Sequence, residues 1–439
     1  MTKKWTIMGQ DADVLLAVWA NMVSWIVRRV APSLLPKLLP KCEQEDPEMT
    51  KAATTPAADD KRTRCVSIGR PGGVEQLRLI RLKPGIVTCG YNIKGQDIPF
   101  SKPLVQDTDI PADCVVLRNE AFSVNYADCC IRWGLYESAK EYVGYPIVPG
   151  FDIAGVVERV GSAATEWKAG DRVFGCSLFG AYSSKVLVPK IQIRKVPTGI
   201  TMAQAAALPA VSLTSLYALF LAGHYPTKSL FTNKAILIHS AAGGVGSMLV
   251  QMAKIIGLSP IVGVVGRSSK VAAARVLGCD VVIDKSNEDL WAAAKAASPN
   301  GYSAIMDSNG VSTLAQSYEH LAMTGRLIVF GFHSNLPLGS DMLSPIQWIR
   351  MAARAKNMPQ FNPMDMGSKN KAVLAFNISF FADEAEMMMV LFDQVCKWLE
   401  EGKLECPRVV EMHMRDIAEA HDLIQSGTTV GKLVLNTSS

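Results

Sequence analysis

The chain has 439 residues, of which 49% are hydrophobic and 19% charged, with 45 basic against 40 acidic side chains. This length fits two domains or one domain with a large insertion, and the composition is that of an ordinary globular protein, which excludes a disordered chain and one that crosses a membrane many times. The net charge of +5 is spread along the chain, whereas nucleic-acid-binding proteins concentrate their basic residues, so no nucleic-acid partner is expected.

The 10 cysteines include no CxxC pair. Short-spaced cysteines are typical of structural zinc sites and of small disulfide-rich domains. We therefore expect reduced thiols in a reducing compartment and no structural zinc.

Residues 1–61 differ from the rest of the chain. The uncharged run 14–27 is followed by Arg28 and Arg29 and is shorter than the roughly 20 residues that span a bilayer. Helical spacing of its apolar residues predicts an interfacial helix with peripheral membrane contact over 14–30. A helix that caps the main domain or binds a partner explains the pattern equally well, and a mitochondrial address is less favoured. The polar, Pro- and Ala-rich residues 42–61 predict a flexible linker.

Residues 62–199 contain short β-rich runs separated by turn residues. Such spacing is typical of a compact β domain of the barrel type. We expect this region to form one compact domain.

From residue 200 to about 335 strand-like and helix-like segments alternate. Continuous apolar strands between helices predict a doubly wound parallel sheet, the architecture of a dinucleotide-binding domain. Residues 336–439 contain further helical segments and a last strand, and we expect them to rejoin the β domain. The predicted fold class is therefore α/β, with a barrel-type domain and a Rossmann domain.

The turn "AAGGVG" stands between an apolar strand and a helix. Ala241, Gly243 and Gly246 occupy the three positions of the dinucleotide fingerprint. Gly243 allows the backbone to approach a pyrophosphate, and Gly246 allows the helix to pack closely on the strand. The context of the motif predicts a nicotinamide dinucleotide as ligand.

The residues at the end of the second strand indicate which dinucleotide binds. A carboxylate about twenty residues after the glycines would bind a ribose 2′-hydroxyl, but this chain has Arg267, Ser268 and Lys270 there. Two cations and hydroxyls favour the 2′-phosphate of NADPH. The alternative is that Arg267 and Lys270 form the solvated first turn of a helix.

Six stretches of the chain resemble the quinone oxidoreductase branch of the medium-chain dehydrogenase/reductase superfamily: "VNYADCCIRWGLY", "YPIVPGFDIAGVVERVG", "WKAGDRVFG", "AAALPAVSLTSLYAL", "AAGGVG" and "VGKLVL". They follow the family's order over about residues 63–435. The segment "NPMDMGSKNKAVLAFNISF" is most similar to the vesicle amine transport protein-like subgroup. The resemblance implies that residues 62–199 are a GroES-like β barrel, the substrate and catalytic domain, and that residues 200–335 are a Rossmann domain. The cofactor would lie in the cleft between them.

The resemblance also implies which residues bind the cofactor. Gly243, Gly244, Val245 and Gly246 would contact the pyrophosphate, and Lys270 with Ser268 the 2′-phosphate. The remaining cofactor contacts would be Asn309, Phe330, Phe332, Thr214, Phe376, Asn377 and Lys432.

Zinc-dependent relatives bind a catalytic metal through a Cys and a His at positions where this chain has Asn125 and Phe151. Neither side chain is a usable zinc ligand, so no metal is expected. By resemblance, Asn125, Asp128, Arg132 and Tyr136 lie near the nicotinamide, where Asn125 and Tyr136 would donate hydrogen bonds to the acceptor. An ion pair that fixes the loop is the alternative for Asp128 and Arg132, and a pocket wall is the alternative for Tyr136.

Without a Lewis acid, alcohol oxidation is disfavoured, whereas a quinone or enone delocalises the charge that it gains. The sequence thus predicts a zinc-independent, NADPH-dependent reductase of quinones or α,β-unsaturated carbonyl compounds. An NADPH-binding protein with little turnover at a membrane or partner, and an enoyl-thioester reductase, are the alternatives. A cytoplasmic homodimer, with or without peripheral membrane attachment, is expected.

Overall fold

A computed structural model describes residues 62–89, 101–103, 107–225, 233–336, 345–381 and 384–438. The predicted apolar helix over 14–30 and the predicted linker over 42–61 lie outside these residues. None of the helices in the described ranges is long and apolar enough to cross a bilayer.

The first domain is built on a mixed sheet in the order β4-β3-β8-β5-β6-β7-β9, beside a β1-β2 hairpin. Its long central strand β5 pairs antiparallel with β6 and β8, and its apolar residues are buried. The elements of this domain are β1 Arg64–Ile68, β2 Leu77–Arg81, β3 Ile86–Cys89, β4 Ser101–Pro103, β5 Cys114–Val124, α1 Tyr126–Arg132, α2 Glu137–Tyr142, β6 Asp152–Val160, β7 Arg172–Cys176, β8 Lys185–Pro189 and β9 Ile193–Lys195.

The second domain contains a six-stranded parallel sheet in the order β12-β11-β10-β13-β14-β15. The order reverses between β10 and β13, and at such a point the carboxyl ends of the strands leave a crevice for a ligand. The elements are α3 Met202–Ala206, α4 Pro209–Leu221, β10 Ile236–Ile238, α5 Gly244–Ile255, β11 Ile261–Val265, α6 Val271–Leu277, β12 Val281–Asp284, α7 Leu290–Ala297, β13 Tyr302–Asp307, α8 Leu314–Glu319, β14 Leu321–Val329, α9 Pro345–Lys356, α10 Pro363–Lys369 and β15 Ala372–Ala375.

The last segment comprises α11 Ala385–Glu400, β16 Val409–His413, α12 Ile417–Gln425 and β17 Lys432–Asn436. Strand β17 pairs antiparallel with β5 and so returns the chain to the first domain. This return comes later than residue 336, because β15 is the sixth strand of the Rossmann sheet and α11 packs on α4. The four-residue run of β15 was too short for its periodicity to reveal a strand.

One buried apolar cluster joins the two domains. It includes Phe174 of β7, Leu216 of α4, Met248 of α5 and Phe392 of α11, and the rings of Phe174 and Phe392 lie 5.0 Å apart. Burying a side chain of this kind contributes about 1.5–3 kcal/mol. The cluster therefore fixes the two walls of the cleft relative to each other, and the predicted α/β fold with barrel-type and Rossmann domains is confirmed.

Candidate active site

A cleft of about 720 Å³ lies between the two domains at the point where the strand order reverses. It brings together most of the predicted site residues. Those that line it are Asn125, Tyr136, Thr214, Gly243, Gly244, Val245, Gly246, Lys270, Asn309, Phe330, Phe332, Phe376, Asn377 and Lys432. Asp128, Arg132, Arg267 and Ser268 do not line it.

The glycine turn forms the floor of the cleft. Gly243 is the N-cap of α5, and the turn before it is tight, because Ser240 adopts a φ of 55°. A Cβ atom on Gly246 would lie 2.2 Å from the carbonyl oxygen of Ser240, so only glycine allows the helix to start this close to β10. The first N–H groups of α5 have no partner within the helix, and such an end attracts an anion.

Basic side chains gather where β11 and β12 end. Lys270 and Lys285 line the cleft, and Nζ of Lys270 donates to the carbonyl oxygen of Thr429 at 2.7 Å. Arg267 donates to the carbonyl oxygen of Ser426 at 3.1 Å, just outside the cleft. Burial and the neighbouring Arg267 charge lower the pKa of Lys270. The arrangement supplies the positive potential that a 2′-phosphate requires.

Ser268 stands beside these cations. Its hydroxyl oxygen accepts a hydrogen bond of 2.8 Å from Nδ2 of Asn287, which also donates to Asp284 at 3.0 Å. Hydrogen bonds from the side chains of Ser268 and Ser286 lower the pKa of Asp284, the carboxylate at the end of β12. Ser268 thus ties the loop that bears the cations to the end of β12.

Asn125 is the N-cap of α1, and both ends of its amide are held by charged groups. Its Nδ2 donates to Asp152 at 2.8 Å, and its Oδ1 accepts from Nζ of Lys432 at 2.5 Å. Lys432 and Asp152 form a buried ion pair of 3.5 Å. Because Nδ2 carries two protons, one remains for a ligand in the cleft.

Asp128 lies behind the wall of the cleft. Its carboxylate accepts hydrogen bonds from the backbone N–H groups of Asn125 and Gly150, at 2.8 and 3.1 Å, and from the hydroxyl of Tyr182 at 3.0 Å. Burial raises the pKa of Asp128 to about 7, and the bonds from Asn125 and Tyr182 and the Lys432 charge oppose that shift. Asp128 therefore does not line the cleft, but it holds the backbone of Asn125, which does.

Arg132 is also buried behind the wall, and it does not form the ion pair with Asp128 that we considered. Its guanidinium donates to the carbonyl oxygen of Gly72 at 3.1 Å and to Oε1 of Gln425 at 2.8 Å. Gln425 belongs to α12, so Arg132 ties α1 to the C-terminal segment. Sequence spacing suggested the wrong partner because the actual one lies 293 residues away.

Tyr136 reaches the cleft from the start of α2. Its hydroxyl donates to Oδ1 of Asn377 at 3.0 Å, and its ring lies 6.0 Å from the ring of Phe151. The same Asn377 oxygen accepts from the Ser379 hydroxyl at 2.8 Å. Burial raises the pKa of Tyr136, so the phenol stays protonated. Asn377 orients Tyr136, and its own Nδ2 remains for a ligand.

The remaining predicted cofactor residues lie on the Rossmann side. Asn309 is buried after β13, and its backbone N–H donates to Asp307 at 2.8 Å. Phe332 is 43% exposed, which leaves its face open to a ring in the cleft. The hydroxyl of Thr214 is already committed to the carbonyl oxygen of Ala210 at 2.7 Å. Phe376 packs on Tyr217, with 4.9 Å between ring centroids.

Sequence reasoning missed Asp152, Tyr182, His421 and Tyr126. Tyr182 and His421 are joined at 3.3 Å and lie fully buried behind Asp128. Burial and the Arg132 charge lower the pKa of His421, so the imidazole is neutral. Asp152 directly follows Phe151 and Tyr126 directly follows Asn125, and these adjacencies to predicted positions were the signals available from the sequence. Tyr182 and His421 are recognised only from contacts between distant segments.

Two family models match the chain: "Alcohol dehydrogenase GroES-like domain" over residues 111–199 and "Zinc-binding dehydrogenase" over residues 244–389. A 2-haloacrylate reductase from Burkholderia sp is 30% identical over 338 residues, which cover 73% of this chain and 90% of that protein. The human synaptic vesicle membrane protein VAT-1 homolog is 29% identical over 326 residues, covering 73% of this chain and 78% of that protein. The structure of Escherichia coli quinone oxidoreductase complexed with NADPH is 25% identical, with a TM-score of 0.66 over 85% of this chain and 100% of that one.

The chain belongs to the medium-chain dehydrogenase/reductase superfamily and is an oxidoreductase. Within it, the relatives define the zinc-independent quinone oxidoreductase branch, together with the VAT-1-like proteins, as the resemblance implied. One family model mentions zinc, but in the described ranges no group of three or more His, Cys, Asp or Glu side chains is arranged to hold a metal ion.

Proposed function

We propose that the protein is an NADPH-dependent, zinc-independent oxidoreductase that reduces quinones or α,β-unsaturated carbonyl compounds. The observation that carries the proposal is the cleft in which Asn125 and Tyr136 face the glycine turn around Gly243. Relatives described as quinone oxidoreductase and 2-haloacrylate reductase support this class of acceptor.

NADPH is the cofactor that this cleft fits. The turn at Gly243 leaves room for a pyrophosphate beside the α5 N-terminus, and the cleft lining includes Lys270 and Lys285, whose charges would attract a 2′-phosphate. The related quinone oxidoreductase from Escherichia coli is described as a complex with NADPH. When bound, NADPH supplies the hydride for the reduction.

The side chains of the cleft bind and orient the acceptor. Asn125 offers one amide proton to an acceptor carbonyl, and its direction is fixed by Asp152 and Lys432. Tyr136 has one phenol proton, which it donates to Asn377 and would turn toward the acceptor oxygen as enolate charge develops there. The apolar walls at Phe151 and Leu178 exclude water from the reacting carbonyl.

The proposal is tested by NADPH and NADH oxidation with the purified full chain and a panel of quinones, enones and enoyl thioesters. We expect turnover that favours NADPH and that falls at least about tenfold in Asn125→Ala, since that variant loses a hydrogen bond to the oxygen that gains negative charge in the transition state. Unchanged cofactor affinity in the variant serves as the control. Tight NADPH binding without reduction of any acceptor would contradict the proposal and favour a binding role.

A homodimer is proposed as the working form. Strand β15, Ala372–Ala375, is the edge of the Rossmann sheet and is only half-buried. An unpaired edge strand can pair with its copy across a two-fold axis, which gives a continuous sheet through the dimer.

Peripheral attachment to a membrane through residues 14–30 is proposed as a second property. It is supported by the amphipathic spacing of that segment and by relatives described as synaptic vesicle membrane proteins. We expect the full chain to float with anionic liposomes and a chain of residues 62–439 to remain at the bottom of the gradient. Equal flotation of the two chains would overturn the assignment of the contact to this segment.

A further inference from the structure

Tyr126 directly follows Asn125, and its side chain lines the same cleft. Its phenol oxygen is buried, and none of the described residues offers it a hydrogen-bond partner. Buried hydroxyl groups in native proteins are almost always paired, so an unpaired one at a ligand cleft calls for a functional explanation. The hydroxyl proton of Tyr126 therefore has no acceptor among the described residues, and a bound ligand could supply one.

The ring of Tyr126 is held from both domains. Its centroid lies 4.7 Å from the ring of His333, in the loop after β14, and 6.0 Å from Trp133 in an edge-to-face contact. These two aromatic neighbours, one from each domain, fix the orientation of the Tyr126 ring and thus of its hydroxyl. Burial, and then the nearby Cys130 and Cys129 thiols, raise the pKa of Tyr126. The phenol therefore stays protonated and acts as a donor.

We propose that Tyr126 is a substrate contact that donates a hydrogen bond to the second oxygen of a quinone, while Asn125 donates to the first. The inference rests on the proposed reductase function and narrows its acceptor class. A quinone presents two carbonyl oxygens, whereas an enone presents one, and a site with two separate donors distinguishes them. Leu135, Leu178 and Cys130 line the cleft with apolar surface that suits the ring between these oxygens.

The reaction that this contact would serve is the two-electron reduction of a quinone to a hydroquinone. The quinone gains one hydride from NADPH and one proton from solvent, either directly or through Tyr136, which solvent then reprotonates. The products are NADP⁺ and the hydroquinone. Tyr126 binds the acceptor and loses no proton in this step.

The test is Tyr126→Phe in the full chain, which keeps the aromatic contacts to His333 and Trp133. We expect kcat/KM for tetramethyl-1,4-benzoquinone to fall about tenfold, the size of one hydrogen bond. For 2-cyclohexenone, kcat/KM of the same variant should change less than about twofold. Tyr318→Phe is the matched control, because Tyr318 is a buried tyrosine outside the cleft, and neither acceptor should be affected. Equal losses with both acceptors, or no loss with the quinone, would overturn the inference.

A binding measurement separates this inference from the proposed function. Tetramethylhydroquinone and tetramethylphenol differ by one oxygen, and their affinities for the NADP⁺-saturated protein can be measured by calorimetry. We expect Tyr126→Phe to weaken the hydroquinone about tenfold and to leave the phenol unchanged. That result supports the contact even if the wild-type protein reduces no quinone, whereas equal affinities of wild type and variant for the hydroquinone would refute it.

Discussion

Gly243→Asp is expected to abolish NADPH binding while the protein stays folded. Gly243 has a φ of −81°, which a residue with a side chain adopts readily, and an added Cβ would lie 3.2 Å from the carbonyl oxygen of Ser240, close enough to require only a small shift. The new carboxylate would stand beside the proposed pyrophosphate position. Two like charges about 4 Å apart near a protein surface repel by about 4 kcal/mol, which corresponds to a loss of about a thousandfold in affinity.

Gly243→Asn is the matched control for this prediction. Its amide has the size of the aspartate side chain and no charge, so we expect a loss of NADPH affinity of about tenfold or less. Titration of protein-enhanced NADPH fluorescence measures both dissociation constants, and thermal unfolding checks the fold. Wild-type affinity in Gly243→Asp would mean that the pyrophosphate does not lie at the α5 N-terminus. Gly246 is unsuitable for this purpose, because any Cβ there collides with the backbone of Ser240.

The features that could be predicted from the sequence are those encoded locally. The alternation of apolar strands and helices predicted the parallel sheet, and the context of Gly243 and Gly246 predicted the turn at the head of α5, because both depend on residues within a few positions of each other. The stretches around Asn125 and Tyr136 were identified in the same way, through the motif in which they stand. All four residues line the cleft.

The interactions that were missed join distant segments. Lys432 bonds Asn125 across 307 residues, and Arg132 bonds Gln425 across 293 residues. Periodicity and spacing contain no information on such pairs, which depend on β17 returning to pair with β5. For the same reason, the sequence predicted that the chain returns to the first domain at residue 336, which is too early. The pairing of β15 with β14 is also decided by the tertiary fold.

The buried pair of Lys432 and Asp152 explains why a residue at the end of the chain belongs to the site. Lys432 is 4% exposed and Asp152 is fully buried. Asp152 also accepts hydrogen bonds from the backbone N–H of Ala210 at 2.6 Å and from the hydroxyl of Ser123. Residues of β5 and β17, the N-cap of α1 and the start of α4 thus all contact the Asp152 carboxylate. The pair sets the direction of the Asn125 amide, so we assign Lys432 and Asp152 as positioning residues.

Lys432→Met is expected to lower the free energy of unfolding by about 3–5 kcal/mol, because it leaves the Asp152 charge buried without its cation. It should also lower kcat at least about tenfold, because the Asn125 amide loses one of the two bonds that orient it. Urea unfolding followed by tryptophan fluorescence gives the first quantity, and quinone-dependent NADPH oxidation gives the second. Lys185→Met is the matched control, since Lys185 pairs with Glu158 at 2.7 Å in a partly exposed bridge, and its loss should cost no more than about 1 kcal/mol.

The double variant Lys432→Met, Asp152→Asn separates the structural effect from the effect on catalysis. Removing both charges eliminates the uncompensated carboxylate, so we expect most of the lost stability to return. The activity should not return, because neither of the two substituted side chains carries the charge that holds the Asn125 amide in one orientation. Recovery of kcat together with stability would show that the pair serves the fold alone. Full stability in the single variant would show that solvent reaches Asp152 once Lys432 is removed.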